Sequence, residues 1–284
     1  MVEPAGERAP LSTIGRTIDW RVPTNRAIVF VFLAGLVGAL AAHLTRGDPV
    51  FTALGRAAAF GASLFLTWAL TREADPDRWY AAFLAAAGAA VAGTLLGPAN
   101  LALALWFLLG LRLINRTPGL APGPIDLLLF YFLSLWLAIS IHWMIAALAV
   151  IPVPFAATRR LPGVLRRDFP LALLAASGIV AAIKGANIRP LAWRGWGIWS
   201  LAAVCVALAP IIATYRTVRS VGDRTGEPLS PRRIRSAIGW AAGSVLLLTV
   251  LGAIPLPGLM PIWAALAGTA LGWVIERIGA AVRR

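Results

Sequence analysis

Few side chains in this sequence are suited to redox chemistry or to binding a transition metal. Among 284 residues there is one cysteine, Cys205, and there are two histidines, His43 and His142. One cysteine excludes an intrachain disulfide, and two isolated histidines fall short of the roughly three or four ligands that a zinc site uses. The patterns GxxxxGK, HExxH, GxSxG and CxxC are also missing, which argues against a P-loop ATPase, a zinc protease, a serine hydrolase and a dithiol redox enzyme.

Charged residues are scarce as well. They make up 13% of the chain, against about 25% in a typical soluble domain, whereas hydrophobic residues make up 59%. The mean hydropathy is +0.78, and the apolar residues fall into blocks of roughly 17–25 residues, the length that crosses a hydrocarbon core of about 30 Å. The sequence therefore predicts an all-α, polytopic integral membrane bundle. The blocks are 27–44, 53–70, 80–96, 99–114, 125–157, 170–188, 196–214, 237–254 and 259–279.

These blocks set the expected organisation of the chain. We expect nine to ten transmembrane or re-entrant helical segments within a single transmembrane domain, residues 27–279. A polar cytoplasmic tail, 1–26, precedes this domain, and a short basic tail, 280–284, follows it. No cleavage site typical of a signal peptide follows a short apolar region, so we expect a multi-pass protein of the cytoplasmic membrane whose first helix is retained.

Basic residues outnumber acidic ones by 26 to 12, and only one of them, Lys184, is a lysine. A strongly positive chain can indicate nucleic-acid binding, but membrane proteins also accumulate arginine in their cytoplasmic loops. We therefore expect the lipid bilayer as the partner and no nucleic acid. The basic stretches 159–167 and 216–235 predict contact with anionic lipid head groups.

The path of the block 125–157 decides the orientation of every later helix. The turns 97–100 and 255–258 carry no arginine, so we expect both at the extracytoplasmic face. If the block crosses once, 11 of the 26 basic residues lie on the cytoplasmic side, and if it enters and returns, 21 do. Because basic residues in short loops set the orientation, the second path is favoured, with both termini cytoplasmic.

The length of this block leaves an alternative open. A single helix over residues 126–151 would be about 39 Å long and would need a strong tilt to fit the membrane. Two short or re-entrant helices avoid that tilt, although no glycine or proline lies near Ser140 to make the turn. Non-helical backbone at that depth must be buried in protein or line a wet cavity.

Small residues recur at every fourth position in two of the blocks. Such spacing lets helices approach closely, because association in lipid relies on van der Waals contact. We expect these faces to pack within the chain, and a homo- or hetero-oligomer through them is the alternative. The residues are Ala85, Ala89, Gly93 and Gly97 in one block, and Ala264, Gly268 and Gly272 in the other.

Polar residues at membrane depth are the candidates for substrate binding, because they are costly there. In and near the long block they are His142, Lys184, Ser140 and Asp126. Each also has a structural interpretation. His142 suits an interhelical hydrogen bond, Lys184 can extend its amine to the interface, and Asp126 can cap the helix that it opens.

The most acidic loop is TREADPDRW, residues 71–79, where Glu73, Asp75 and Asp77 could hold Mg²⁺. A sparser acidic loop carries Asp223 and Glu227. Two acidic loops on a helical bundle of this size resemble those of the UbiA-type prenyltransferases, and the resemblance implies that the loops bind a diphosphate through Mg²⁺. The Asn-Asp start and the regular four-residue acidic spacing of that family are missing here. A solvated loop with local arginine–carboxylate pairs is the alternative.

Three functions follow from these features. The first is a small transporter or permease-like protein with a cavity near the midplane, bounded by 125–157 and 170–188. The second is a membrane enzyme that acts on a phosphorylated, isoprenoid-type lipid through Mg²⁺ at Glu73, Asp75 and Asp77. The third is a non-catalytic subunit of a membrane complex. Apart from Mg²⁺ in the second case, the sequence predicts no cofactor.

Overall fold

The computed structural model describes residues 12–15, 18–156, 163–185 and 196–283, and for 196–201 the backbone alone. Helices account for 76% of the described residues, which form no β-strand, and this confirms the all-α class. Half of the predicted N-terminal tail, residues 1–11, 16 and 17, lies outside the described residues. So do Arg159 and Arg160 of the first basic stretch.

Every predicted apolar block corresponds to a helix or to a group of helices. The helices are α1 (Pro23–Thr45), α2 (Val50–Ala74), α3 (Trp79–Leu96), α4 (Leu101–Asn115), α5 (Pro124–Ser140), α6 (Met144–Leu148), α7 (Val153–Ala156), α8 (Gly163–Lys184), α9 (Trp196–Thr214), α10 (Pro231–Val250) and α11 (Met260–Val282). A short 3₁₀ turn, Leu256–Leu259, leads into α11. Two helices start well before their predicted blocks, α8 at Gly163 and α10 at Pro231, so each includes part of a basic stretch.

Within the described residues, four spans are long and apolar enough to cross a membrane: α1, α2, α3, and the 3₁₀ turn together with α11. Further apolar helical stretches are shorter, at 101–115, 124–140, 144–156 and 202–214. α4, for example, has 15 residues and a length of about 22 Å. α4 is mostly buried within the bundle, whereas one face of α5, which includes Leu129, Phe132 and Trp136, is exposed. These apolar helices are compatible with a membrane protein.

Loop contacts divide the bundle into two ends. The polar end contains Glu73 at the end of α2, Arg112 at the end of α4, and Glu276 in α11. The turn end contains the loops 97–100 and 255–258, which touch through a 3.4 Å hydrogen bond from the Asn100 amide to the Gly258 carbonyl. The prediction that these two turns share one face of the bundle is confirmed.

The block 125–157 enters the bundle from the polar end and returns to it. Halfway along α5, the Ser134 hydroxyl accepts a 2.8 Å hydrogen bond from the Trp106 indole of α4. The chain then turns, and the Phe155 carbonyl at the end of α7 accepts a 2.8 Å hydrogen bond from Arg116, at the polar end. The block is therefore a hairpin, with one helix of 17 residues going in and two short helices coming back.

The turn of this hairpin needs neither glycine nor proline. α5 ends at Ser140, where the amides of Ile141 and His142 both donate to the Leu137 carbonyl, at 2.8 and 3.3 Å. The Met144 amide at the start of α6 then donates to His142 Nδ1 at 3.3 Å. A histidine side chain thus takes the place of a helical carbonyl, so that the backbone bends without a buried, unsatisfied amide.

Later helices take the directions that a hairpin requires. α8 runs alongside α5 in the same sense, because the Leu165 carbonyl contacts Tyr131 and Lys184 reaches Ile139, near the end of α5. α9 then returns to the polar end, where Tyr215 follows it. Arg112 also binds the Ile14 carbonyl, so both the first described residues and the last turns of α11 lie at the polar end.

The two predicted small-residue faces pack against each other. A Cβ added to Gly268 would lie 2.6 Å from the Ala85 Cβ and 2.8 Å from the Ala81 carbonyl oxygen. One added to Gly272 would lie 2.7 Å from the Ala81 Cβ. α3 and α11 thus approach at backbone contact distance within one chain, as predicted. An oligomer through the same faces would first require the two helices to separate.

We predict that Gly268→Ala destabilises the protein, because the new methyl group meets a backbone carbonyl that cannot move aside. Overpacking of this kind costs about 1–3 kcal/mol, which thermal unfolding in detergent would register as a lower midpoint. Gly279→Ala on the same helix is the matched control, since its Cβ meets nothing within 4 Å. That control should be neutral or slightly stabilising, and equal midpoints for the two variants would contradict the close packing.

Candidate functional site

Glu73 is the centre of the polar end. Its side chain is only 1% exposed, and it accepts a 2.9 Å hydrogen bond from Arg112 Nε. The Thr117 hydroxyl donates to the other carboxylate oxygen, and the side-chain amide of Asn115 donates to the Glu73 backbone carbonyl. Arg112 in turn binds the Ile14 carbonyl. Glu73 therefore joins α2, α4 and the loop that follows α4.

Asp75 is fully buried and lies between two partners. Arg78 donates to one carboxylate oxygen at 2.8 Å, and the Tyr215 hydroxyl donates to the other at 3.2 Å. Burial raises the pKa of Asp75 above its ordinary value, although the charge of Arg78 acts in the opposite direction. Burial and the nearby carboxylates also raise the pKa of Tyr215, so its hydroxyl keeps the proton that it donates.

Asp77 binds a different part of the chain. Its carboxylate accepts from the amides of Arg219 and Ser220, at 3.1 and 2.9 Å, and from the Ser220 hydroxyl at 2.7 Å. Each of the three carboxylates thus has its own protein partners. In the described part of the chain, no group of three or more histidine, cysteine, aspartate or glutamate side chains is placed to hold a metal ion.

An arginine cleft of about 320 Å³ opens at the polar end beside these carboxylates. Arg78 lies at its base and donates to Glu276 at 2.5 Å, which ties α3 to α11. Four arginines against two carboxylates make the cleft positive. Its charged lining residues are Arg78, Arg216, Arg219, Arg277, Asp77 and Glu276.

The hairpin residues predicted to bind substrate make local contacts. His142 is buried and accepts from the Met144 amide. The Ser140 hydroxyl donates to the Trp136 carbonyl within α5 at 2.7 Å, and Lys184 Nζ donates to the Ile139 carbonyl. Lys184 therefore neutralises the carbonyl end of α5, where a cation is favoured. None of these residues lines the arginine cleft or the groove described below, and their role in substrate binding stays a prediction.

Asp126 caps α5 at the polar end. It is fully buried, and its carboxylate accepts from the Gly123 amide at 2.9 Å, as a residue of a capping box does. The Ser12 hydroxyl donates to it at 2.6 Å, and the Thr13 hydroxyl donates at 2.7 Å. The capping interpretation of Asp126 is confirmed, and the same carboxylate fastens the N-terminal segment to the hairpin.

A second opening, the small-residue groove, lies between α1, α2 and α3 and has a volume of about 660 Å³. The α1 residues that line it extend from Ala34 to Arg46, a distance of about 18 Å along a helix. Most of its apolar wall residues are small, although Phe60 and Met260 also line it. The small residues include Ala34, Gly38, Ala39 and Ala42 of α1, Gly55 and Ala59 of α2, and Gly93 of α3.

Charged residues lie at one end of this groove, toward the turn end of the bundle. His43 Nδ1 is 2.6 Å from Asp48 Oδ2, and Arg56 donates to the same oxygen at 2.8 Å. The hydrogen bond with His43 and the charge of Arg56 hold the pKa of Asp48 below its ordinary value. Arg46 also lines the groove and is exposed. The mouth thus offers two arginines and a histidine around one carboxylate.

Sequence reasoning did not select this groove, although a signal was present. Small residues recur every four positions in α1, at Ala34, Gly38 and Ala42, and again in α2, at Gly55 and Ala59. Where α1 and α2 touch, the fit is tight, because a Cβ on Gly61 would lie 3.0 Å from the Phe32 carbonyl. The same pattern that packs one part of a helix therefore lines an opening in another.

No family model, curated protein or solved structure matches this chain, so its function has to be inferred from the groove, the cleft and the charges themselves.

We predict that Glu73→Gln lowers the free energy of unfolding by about 1.5–3 kcal/mol, because it leaves the partly buried Arg112 without its counter-charge. The midpoint of thermal unfolding in detergent measures this effect. Glu227→Gln is the control, since Glu227 is exposed in the second acidic loop and should change stability by less than about 0.5 kcal/mol. Equal effects of the two substitutions would rule out Glu73 as the centre of the polar end.

The raised pKa of Asp75 predicts a pH dependence of defined sign. The folded protein holds the Asp75 proton to higher pH than the unfolded chain, so this contribution is complete at low pH and is lost as the pH rises through the folded pKa. Asp75→Asn removes it. The unfolding midpoint of wild type, measured relative to that of Asp75→Asn, should therefore fall as the pH rises above about 4.

Thr71→Ser, one turn earlier on α2, provides a control for the pH series because it keeps a hydroxyl and adds no titrating group. Its midpoint relative to wild type should stay constant. Suppose that the unfolding midpoint of wild type, measured relative to that of Asp75→Asn, instead increases with pH. The charge of Arg78 would then lower the pKa of Asp75 by more than burial raises it.

Proposed function

We propose that this protein is a small membrane transporter for an anionic amphiphile, a molecule with one apolar chain and a phosphate-like head. The observation that carries the proposal is the small-residue groove, an apolar slot with cations at its mouth. An apolar slot alone would suit any lipid chain. Cations at one end of it select a chain that ends in an anion, because arginine binds phosphate and carboxylate oxygens in pairs.

The dimensions of the groove support a chain from one leaflet. Its length along α1 is about 18 Å, slightly more than half of a hydrocarbon core of about 30 Å. A chain that enters at Arg46 and Arg56 would therefore end near the middle of the membrane. The many glycine and alanine residues of the walls leave room for a chain, although Phe60, Thr94 and Met260 also line the slot.

The polar end offers a second place where an anion is favoured. The arginine cleft, with Arg78, Arg216, Arg219 and Arg277, lies at the opposite end of the bundle from the mouth of the groove. A carrier must bind its substrate on each side of the membrane, whereas a protein that only holds a structural lipid needs a single site. The hairpin between α5 and α6 adds a broken helix inside the bundle, a feature that transporters use where helices rearrange.

For orientation we place the polar end in the cytoplasm and the turn end outside. With the hairpin, 21 of the 26 basic residues then belong to cytoplasmic segments, as short-loop charge bias requires. The groove would take its chain from the outer leaflet of the cytoplasmic membrane, and both termini would lie inside. The basic segments at the polar end would face the anionic head groups of the inner leaflet.

The magnesium-dependent lipid enzyme has less support from the contacts. Glu73 and Asp75 already bind Arg112 and Arg78, and Asp77 binds backbone amides of a distant loop. A metal ion would have to replace those partners. No particular observation favours a non-catalytic subunit over a carrier.

The binding test uses dodecyl phosphate, dodecanol and inorganic phosphate on the purified protein. We predict that dodecyl phosphate binds more tightly than either part, because the groove holds the chain while the arginines hold the head. Gly38→Leu should abolish this binding, since Gly38 lines the groove and its Cβ direction is open. Gly88→Leu is the matched control, an exposed helical glycine outside the groove, and it should bind like wild type.

A transport measurement completes the test. Proteoliposomes containing a fluorescent alkyl phosphate are treated with dithionite, which bleaches only the outer leaflet. Wild type and Gly88→Leu should carry the probe between leaflets, and Gly38→Leu should not. Binding without movement would leave a lipid-binding protein and overturn the carrier, and equal binding by Gly38→Leu would overturn the groove as the site.

A further inference from the structure

Arg116 and Arg233 lie side by side at the polar end, away from the arginine cleft. Arg116, which follows α4, donates to the Phe155 carbonyl at 2.8 Å, and Arg233, in the first turn of α10, donates to the same oxygen at 3.0 Å. Arg116 also contacts the Ala156 carbonyl, and Arg233 contacts the Ile114 carbonyl. Two guanidinium groups thus share one acceptor.

Within the described part of the chain, neither of these guanidinium groups contacts a carboxylate. Two acidic residues of the polar end are bound elsewhere, with Glu73 on Arg112 and Asp126 on the N-terminal segment. Burial together with the charge of Arg233 lowers the pKa of Arg116 to about 10. The pair is therefore a partly buried concentration of positive charge.

Backbone carbonyls account for only part of the hydrogen bonding of this pair. The carbonyl ends of α4 and α7 carry partial negative charge, which favours arginine there. However, Arg116 Nε is buried and has no hydrogen-bond partner among the described residues. Arg116 also has a φ of 54°, in the left-handed region that is rare for residues other than glycine. A donor held in this way suits an acceptor supplied from outside the chain.

We propose that Arg116 and Arg233 form a binding site for a phosphate group. Two planar guanidinium groups can each bind two oxygens of one phosphate, which would use Arg116 Nε and offset both charges. The phosphate belongs either to the head group of an anionic lipid or to a free phosphate. The site is distinct from the small-residue groove, which lies between other helices and opens at the turn end.

A phosphate bound at this site would hold the returning arm of the hairpin against α4 and α10. Arg116 follows α4, Arg233 belongs to α10, and the shared carbonyl of Phe155 ends the returning arm of the hairpin. A phosphate between the two arginines would remove their mutual repulsion and fix the three elements to one another. Ligand binding to the folded state alone raises stability according to ligand concentration.

The experiment measures the thermal unfolding midpoint of the full chain in detergent. One arm compares sodium phosphate with sodium chloride at equal ionic strength, and the other compares mixed micelles containing phosphatidic acid with micelles containing phosphatidylcholine. We expect a rise in midpoint with phosphate, with phosphatidic acid, or with both. A rise in the first arm identifies a free phosphate ligand, and a rise confined to the second identifies a lipid head group.

Variants test whether the rise in the unfolding midpoint comes from Arg116 and Arg233. Arg116→Gln and Arg233→Gln should lose most of it, whereas Arg232→Gln, an exposed neighbour on α10, should keep it. Gly38→Leu should also keep it, which separates this site from the groove. Arg116→Lys and Arg233→Lys keep the charge without the planar fork, so they provide a folded alternative and should show a reduced rise. No rise in wild type, or a full rise in both Arg116→Gln and Arg233→Gln, would overturn the proposal.

Discussion

The buried ion pair between Glu73 and Arg112 is the contact on which the polar end depends. Removing two such charges from water costs several kcal/mol each, and the pair is stable only if the remaining donors and acceptors are also satisfied. Thr117 and the Ile14 carbonyl meet that condition. Because they belong to two further segments, the ion pair fixes the ends of α2 and α4 and also the chain around them. Asp75, two residues beyond Glu73, then lies within reach of Tyr215.

The hairpin sets the direction of the last four long helices, and a few hydrogen bonds stabilise the hairpin. His142 satisfies the amide that the break exposes, Lys184 satisfies a carbonyl at the end of α5, and Arg116 receives the returning arm. A single crossing would have needed none of these side chains. Charge counting in distant loops and the local polar contacts of the block are independent observations, and both favour the returning path.

Much of the fold was predictable because each apolar helix is encoded by a long run of consecutive residues. Nine apolar blocks, the two paired turns and the small-residue contact of Gly268 with Ala85 all follow from composition and spacing over a few turns. The partners of the acidic loop were not predictable. Asp77 binds Ser220, 143 residues away, and three carboxylates close in sequence have separate partners once the helices pack. The groove was missed for a related reason, since spacing alone does not distinguish a packed glycine from an open one.

That difference can be seen along a single pair of helices. At Gly35 a Cβ would lie 2.7 Å from Leu64, so α1 and α2 are in close contact there. One turn later, at Gly38, and opposite it at Gly55, a Cβ would meet nothing within 4 Å. α1 and α2 are thus in close contact near Gly35 and leave open space beside Gly38 and Gly55. Since only 6% of the α1 span is buried, most of this helix is exposed on the outside of the bundle. The groove therefore lies beside the most exposed of the four spans, and the Glu73–Arg112 pair lies at the opposite end of the bundle.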